Sequence, residues 1–257
     1  MDAKTIFLVA LSAILIVAVF FLDPVAQDPA YYEFADHRTI LRLPNFWNVA
    51  SNIAFVLVGS AGLFYLRSKN RPGVHPDLHV AYVIFYAGVF LTGIGSAYFH
   101  YLPGNDSLVW DRLPMTIGFM ALFAIIIGEY ISLRAAKRMM IPLLIVGAAS
   151  VFYWAATEAN GAGDLRPYAI VQFLPILLIP LILLMYRPGY DKTGFLWIVI
   201  GFYVLSKLFE YFDVAVYEFG GLISGHSVKH VVAALAPLVF LYGLDRRRPV
   251  NGQSVPR

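Results

Sequence analysis

The chain contains no cysteine and few charged residues for its length of 257 residues. Without cysteine it can form neither a disulfide nor a thiolate metal site, so any transition metal must be held by histidine and oxygen ligands. Charged residues make up 14% of the sequence and apolar residues 60%, whereas soluble domains carry roughly 25% charged residues. Because so few charges cannot cover a surface in water, the composition predicts an integral membrane protein.

The sequence also lacks the features of several function classes. It has no internal repeat, no low-complexity tract and no glycine-rich nucleotide loop. Gly93-Ile-Gly95 lacks both the third glycine and a preceding strand, and it indicates close helix packing instead. The net charge of +3 does not indicate nucleic-acid binding. The sequence shows no inverted pair of interrupted helices, the pattern that would indicate a transporter.

Eight apolar segments, each close to the roughly 20 residues that cross a bilayer, account for most of the chain. They span residues 5–22, 47–66, 79–101, 113–133, 139–157, 167–186, 194–212 and 226–244. They predict an all-α fold, a polytopic membrane helical bundle forming a single transmembrane domain over residues 1–257. A signal peptide is the alternative for segment 5–22, but its apolar core is long and residues 23–29 are a poor cleavage site, so we interpret it as a retained helix.

The placement of lysine and arginine predicts the orientation of the bundle. With the N-terminus inside, thirteen cations lie on the inner side and four on the outer side, as the positive-inside rule requires. The inner cations are Lys4, Arg67, Lys69, Arg71, Arg134, Lys137, Arg138, Arg187, Lys192, Arg246, Arg247, Arg248 and Arg257, and the outer ones are Arg38, Arg42, Arg112 and Arg166. We therefore expect both termini in the cytoplasm, with the helix ends that carry His100, Asp111 and His226 on the outer face.

Two stretches of the sequence carry candidate metal ligands. Ser96 and His100 are four residues apart, so they share one helix face, and Asp111 follows a Pro-Gly-Asn-Asp turn near the start of the next helix. His226 and His230 are one helical turn apart, a spacing that lets both reach one metal ion. Three histidines and a nearby carboxylate are the ligand set of a hydrolytic zinc site.

Each candidate also has a simpler structural interpretation. Asp111 is predicted to exchange a proton with water and the leaving group, but a carboxylate near a helix start is also favoured by the helix dipole, a role that suits Asp106 better. Ser96 is predicted to donate a hydrogen bond to an oxyanion or a metal-bound water, but it could instead bond to its own helix. The remaining histidines lie in loops or at helix ends without a partner at metal spacing; they are His37, His75 and His79.

Other polar residues within the segments are interpreted as structural. Lys207, Glu210 and Asp213 are spaced three residues apart and so share one stripe of a helix. We expect them to form a structural ion-pair network and not to act directly in the reaction. Lys229 is expected to turn away from the site toward the membrane interface. Asn48 and Asn52 are expected to form interhelical hydrogen bonds.

At these motifs the sequence resembles the alkaline ceramidase family, within a superfamily of seven-helix membrane hydrolases that includes the progestin and adiponectin receptors. The matching pieces are residues 45–52, 95–100, 111–115 and 226–230, and the resemblance covers about residues 45–244. It implies zinc held by His100, His226 and His230, with Ser96 and Asp111 around the metal. It also implies hydrolysis of the ceramide amide to a sphingoid base and a fatty acid, and makes segment 5–22 an extra helix beside a seven-helix core.

The sequence departs from the family pattern at three places. Arg112 stands where the family has a glutamate in Asp-Glu-Leu-Pro-Met, and Asn45 stands where a glutamate precedes Phe-Trp-Asn. The acidic N-terminal calcium motif is not recognisable, since only Glu33 and Asp36 remain upstream, so calcium binding is doubtful for this chain. These departures suggest a bacterial branch, in the inner membrane, whose substrate need not be a ceramide.

The sequence therefore predicts a zinc-dependent, ceramidase-like lipid amidase whose partner is a membrane lipid. One alternative is a hydrolase of another acylated lipid. A second alternative is a non-enzymatic, receptor-like or structural zinc protein. A cavity the size of an acyl chain favours the enzyme, and a fourth protein ligand on the metal favours the structural interpretation. The oligomeric state is not indicated.

Overall fold

A computed structural model describes residues 2–250, so the predicted inner cation Arg257 lies outside the described residues. In this range the chain forms ten α-helices, two short 3₁₀ turns and no β-strand. The helices are α1 (Ala3–Phe20), α2 (Phe46–Ala50), α3 (Ile53–Arg67), α4 (His79–Tyr101), α5 (Asn105–Tyr130), α6 (Leu133–Ala159), α7 (Arg166–Met185), α8 (Phe195–Tyr211), α9 (Asp213–Gly220) and α10 (Gly225–Arg246). The prediction of an all-α polytopic bundle is confirmed.

By length and composition, seven stretches of the described chain can cross a membrane, and α2 and α3 together form one of them, Phe46–Arg67. The predicted segment 194–212 corresponds to α8, which is followed after Phe212 by α9, with a bend of 74° between the two helices. The predicted segments left residues 213–220 without a helix, and the structure has α9 there. Helices α8 and α9 together have the length and composition of an eighth membrane span.

Helix α5 begins at Asn105, eight residues before the predicted start at 113. The apolar pattern missed this part because its first turns are polar, and Asn105 and Asp106 suit the beginning of a helix. Asp111 consequently lies on the second turn of α5, where its side chain is buried.

Glycines allow α4 to pack closely on its neighbours near the site. A Cβ atom at Gly95 would overlap the carbonyl oxygen of Trp110 on α5, and one at Gly93 would lie 2.9 Å from the carbonyl oxygen of Asn52. The close-packing interpretation of these two glycines is confirmed. As a result, α4 and α5 approach each other where they carry Ser96 and Asp111.

A buried ion pair holds the opposite end of the bundle. Arg247 donates a hydrogen bond from Nη1 to Oε2 of Glu129 at 2.8 Å and one from Nε to the carbonyl of Gly73 at 2.9 Å, and the Tyr82 hydroxyl donates to the same carboxylate. Arg247 and Glu129 are 0% and 1% exposed. Because buried charges require partners, this network ties α4, α5 and the end of α10 together, far from the histidines.

Candidate metal centre and its cavity

Three buried histidines meet between α4 and α10. His100 lies in the last turn of α4, and His226 and His230 lie in the first two turns of α10. Nε2 of His100 is 3.2 Å from Nε2 of His226 and 3.2 Å from Nε2 of His230. Nitrogen ligands of a tetrahedral zinc ion, bound at about 2.0–2.1 Å, are about 3.3–3.4 Å apart. The three ring nitrogens are thus spaced to hold one metal ion.

The start of α10 is fixed by two capping hydrogen bonds. The first N–H groups of a helix have no partner within it. Here the N–H of Ser227 donates to Oγ of Ser224 at 3.3 Å, and the N–H of His226 donates to Oδ1 of Asp213 at 2.6 Å. Asp213 was expected in an ion-pair network, and this was wrong because both its oxygens accept backbone hydrogen bonds, the second from Ala35 at 3.1 Å.

Ser51 orients the ring of His230. Its Oγ lies 2.8 Å from Nδ1 of His230, and both side chains are buried. A hydrogen bond at one ring nitrogen fixes the tautomer and orientation of a histidine and so directs the other nitrogen toward a metal. Ser51 was not among the predicted site residues, although it lies within the 45–52 motif, because no spacing connects it with His230.

The segment between α1 and α2 covers the histidines. The Phe34 ring lies 4.6 Å from the ring of His100 and 5.2 Å from that of His226, measured between centroids. An ion pair of 2.7 Å joins Arg38 to Asp36, and the hydrogen bonds from the Arg38 side chain hold the pKa of Asp36 below its ordinary value. The ordered segment therefore shields the site on this side.

The two asparagines before α3 behave differently. Asn48 accepts a hydrogen bond of 2.6 Å from Oγ of Ser227 on α10 and donates one of 3.0 Å to the carbonyl of Asp36. The predicted interhelical role is confirmed for Asn48. For Asn52 it was wrong, because its Nδ2 donates to the carbonyl of Asn48, one turn earlier, at 2.8 Å.

A cavity of about 340 Å³ begins at His230 and extends between the helices. Its polar end is lined by His230, Ser96 and Asp111. The remaining walls are mainly apolar and extend to Phe85, which lies fifteen residues before His100 on α4, about 22 Å of helix. The cavity thus has the shape and lining that an extended acyl chain needs.

An ion-pair cluster lies beside the polar end of the cavity. Nζ of Lys207 lies 2.6 Å from Oε2 of Glu210, as the predicted network requires. Lys229 was expected to face the membrane interface, and this was wrong, because its ammonium group lies 2.5 Å from Glu210 and its side chain lines the cavity. A carboxylate partner on α8 offsets the cost of placing this lysine within a membrane segment.

These features define an all-helical membrane protein with a buried group of three histidines, able to hold a metal ion, at one end of an apolar cavity. The chain matches the ceramidase family over residues 36–247, most of its length, and belongs to that family. Helix α1 precedes the matched range. No curated protein sequence matches the chain. Membership of the family implies a hydrolase and supports cleavage of a lipid amide.

The contact between Ser51 and His230 leads to a prediction about metal affinity. Ser51→Ala removes the hydrogen bond that orients the His230 ring, so we expect metal binding to weaken by about 10- to 100-fold. The measurement is the Kd for zinc, obtained by competition with a chromophoric chelator. Ser60→Ala is the matched control, because Ser60 is exposed on α3. An unchanged Kd in Ser51→Ala would show that this contact does not orient the ligand.

Proposed function

We propose that the protein is a zinc-dependent lipid amidase, which hydrolyses the N-acyl amide of a ceramide or a related membrane lipid to an amine and a fatty acid. One observation carries the proposal: the three converging histidines lie beside Ser96 and Asp111, at the polar end of an apolar cavity. Release of fatty acid from a ceramide by the purified protein, lost on chelation and restored by zinc, is the experiment that tests it.

The donor set supports zinc at a catalytic site. Zinc accepts neutral imidazole nitrogens, and catalytic zinc sites use three protein ligands and leave one position open, whereas structural sites use four. Among residues 2–250, the candidate metal group has three members, His100, His226 and His230. Bound zinc supplies a Lewis acid, which polarises the amide carbonyl and lowers the pKa of water toward ~7. The open position favours the enzyme over a structural zinc protein.

The neighbouring side chains have separate proposed roles. The Asp111 carboxylate accepts a proton from the attacking water and later donates it to the amine that leaves. The Ser96 hydroxyl donates a hydrogen bond to the oxygen on which negative charge develops. Both side chains are buried, and the Phe34 segment excludes bulk water, so these polar interactions act in a medium of low dielectric constant.

The cavity accounts for a lipid substrate. Its apolar walls would hold the acyl chain, while the amide lies at the histidines. Helices α7 and α8 follow each other in the chain and both line the cavity, but they make few direct contacts. A hydrogen bond of 3.3 Å from Gln172 to the Tyr203 hydroxyl spans the gap between them. We propose that the acyl chain reaches the cavity from the bilayer between these helices.

The proposed topology places both termini in the cytoplasm of a bacterial cell, with the histidines near the outer face of the inner membrane and α1 as an addition to a seven-helix core of residues 45–244. A C-terminal alkaline phosphatase fusion is therefore expected to be inactive and a C-terminal green fluorescent protein fusion to be fluorescent. Phosphatase inserted at Gly161, in the turn between α6 and α7, serves as the outer-side control. Strong phosphatase activity at the C-terminus would contradict this orientation.

A further inference from the structure

Arg112 carries a positive charge into the wall of the cavity. It follows Asp111 on α5, is 6% exposed and lines the polar end of the cavity. Its Nη2 donates a hydrogen bond of 2.5 Å to Oε1 of Gln27. Its Nη1 is buried and has no hydrogen-bond partner within residues 2–250. The guanidinium thus retains one unused hydrogen-bond donor, and a buried donor without a partner is costly.

Arg112 has no carboxylate within ion-pair distance among residues 2–250. The other two cations that line the cavity, Lys207 and Lys229, are both paired with Glu210. Isolated buried charges are strongly disfavoured. The cavity wall therefore carries an arginine without an ion-pair partner next to the proposed reaction centre.

Aromatic rings hold the guanidinium in a fixed position. Its central carbon lies 4.2 Å from the ring centroid of Trp154 and 4.7 Å from that of Tyr168. Glu158 in turn fixes two of the residues that touch Arg112, because its Oε2 accepts hydrogen bonds from the N–H of Gln27 at 3.0 Å and from Nε1 of Trp154 at 3.2 Å. The cation–π contacts offset part of the desolvation cost and use the faces of the guanidinium, so they leave Nη1 without a hydrogen-bond acceptor.

We propose that Arg112 binds an anionic group on the headgroup side of the substrate, so that the preferred substrate is an N-acylated lipid with an acidic headgroup. This inference rests on the proposed amidase function. A planar guanidinium fork matches the oxygens of a phosphate group. Since Arg112 and Asp111 both line the cavity, the anion and the scissile amide lie at the same end of the bound lipid, while the acyl chain occupies the apolar part of the cavity.

Two substrates that differ only in headgroup charge test this proposal. Ceramide and its 1-phosphate, with identical acyl and base chains, are compared on wild type, Arg112→Gln and Arg42→Gln. In Arg112→Gln we expect the ratio of KM for the phosphorylated lipid to KM for ceramide to rise about 10- to 100-fold. Arg42→Gln, which removes an exposed arginine, should leave KM for both lipids unchanged. Equal KM changes for both lipids in Arg112→Gln would overturn the proposal.

A second measurement does not depend on hydrolysis. Metal-free full-length protein is heated with dodecyl phosphate, dodecanoate or dodecanol, and Tm is recorded. We expect dodecyl phosphate to raise the Tm of wild type more than dodecanol does. In Arg112→Gln the two ligands should shift Tm by similar amounts. If Arg112→Gln does not fold, Arg112→Lys keeps the charge without the fork and should retain only part of the shift.

The outcomes separate the possible sources of the anion. Stabilisation by dodecanoate but not by dodecyl phosphate would assign Arg112 to the fatty acid product and overturn the headgroup proposal. If dodecyl phosphate raised the Tm of wild type and of Arg112→Gln by the same amount, the proposal would also be overturned. Absence of hydrolysis with either lipid, together with an intact Arg112-dependent shift in Tm, would count against the amidase function and leave the anion site supported.

Discussion

Asp111→Asn is expected to keep about one zinc ion per chain and to hydrolyse the lipid amide about 10²- to 10⁴-fold more slowly than wild type. Zinc remains because the three imidazoles are unchanged, and Asp111 is not a member of the group that can hold the metal. Turnover falls because a carboxamide cannot accept the proton from water or return it to the amine. Zinc content and amide hydrolysis are measured on the same preparation.

Asp106→Asn is the matched control for this experiment, since Asp106 is exposed in the first turn of the same helix. If Asp111 only stabilises its helix, Asp111→Asn should lower the free energy of unfolding by about 1 kcal/mol or less, with turnover nearly intact. If Asp111 binds the metal as a full ligand, zinc and activity should disappear together. Normal zinc with normal turnover would remove the acid–base role.

Single alanine substitutions at His100, His226 or His230 are expected to abolish stable zinc binding and, with it, hydrolysis. Two imidazoles cannot form the three-ligand site that holds catalytic zinc. Each ring is buried at the point where the others converge, and no acidic side chain of residues 2–250 belongs to this group. The zinc content measured after gel filtration should fall from about one zinc per chain to near zero.

His37→Ala is the control for the histidine variants, because His37 is exposed and outside the metal group. It should retain both zinc and activity. Circular dichroism of each variant shows whether the helices remain. Wild-type zinc content in His226→Ala or His230→Ala, with the fold intact, would eliminate the three-histidine site.

Local sequence patterns predicted the membrane segments and the candidate metal-binding histidines. Long apolar runs predict spanning helices because the bilayer demands internal backbone hydrogen bonding. The spacing of His226 and His230 places both on one helix face, and Ser96 and His100 repeat that relation on another helix. The meeting of the two pairs was implied by family resemblance as well as by their common position at helix ends, and the structure brings all three rings together.

The supporting residues could not be predicted from spacing. Ser51 contacts His230 across 179 positions of sequence, and no periodic pattern encodes such a contact. Lys229 could have faced either side at the end of a helix, and the choice depends on Glu210, which lies on α8. Helix α9 was missed because it is only eight residues long and contains Asp213 and Glu218, so it forms no apolar segment of membrane-spanning length. At Ser51 and Lys229, tertiary contacts decide what the local sequence leaves open.

Amide hydrolysis measured against bound zinc tests the central claim most directly. Purified full-length protein is stripped with a chelator, reloaded with increasing zinc, and assayed for fatty acid release from ceramide and from ceramide 1-phosphate. The proposed function predicts no hydrolysis in the metal-free protein and a linear rise that saturates near one zinc per chain. Full activity without metal, or no hydrolysis of either lipid by the zinc-loaded protein, would contradict it.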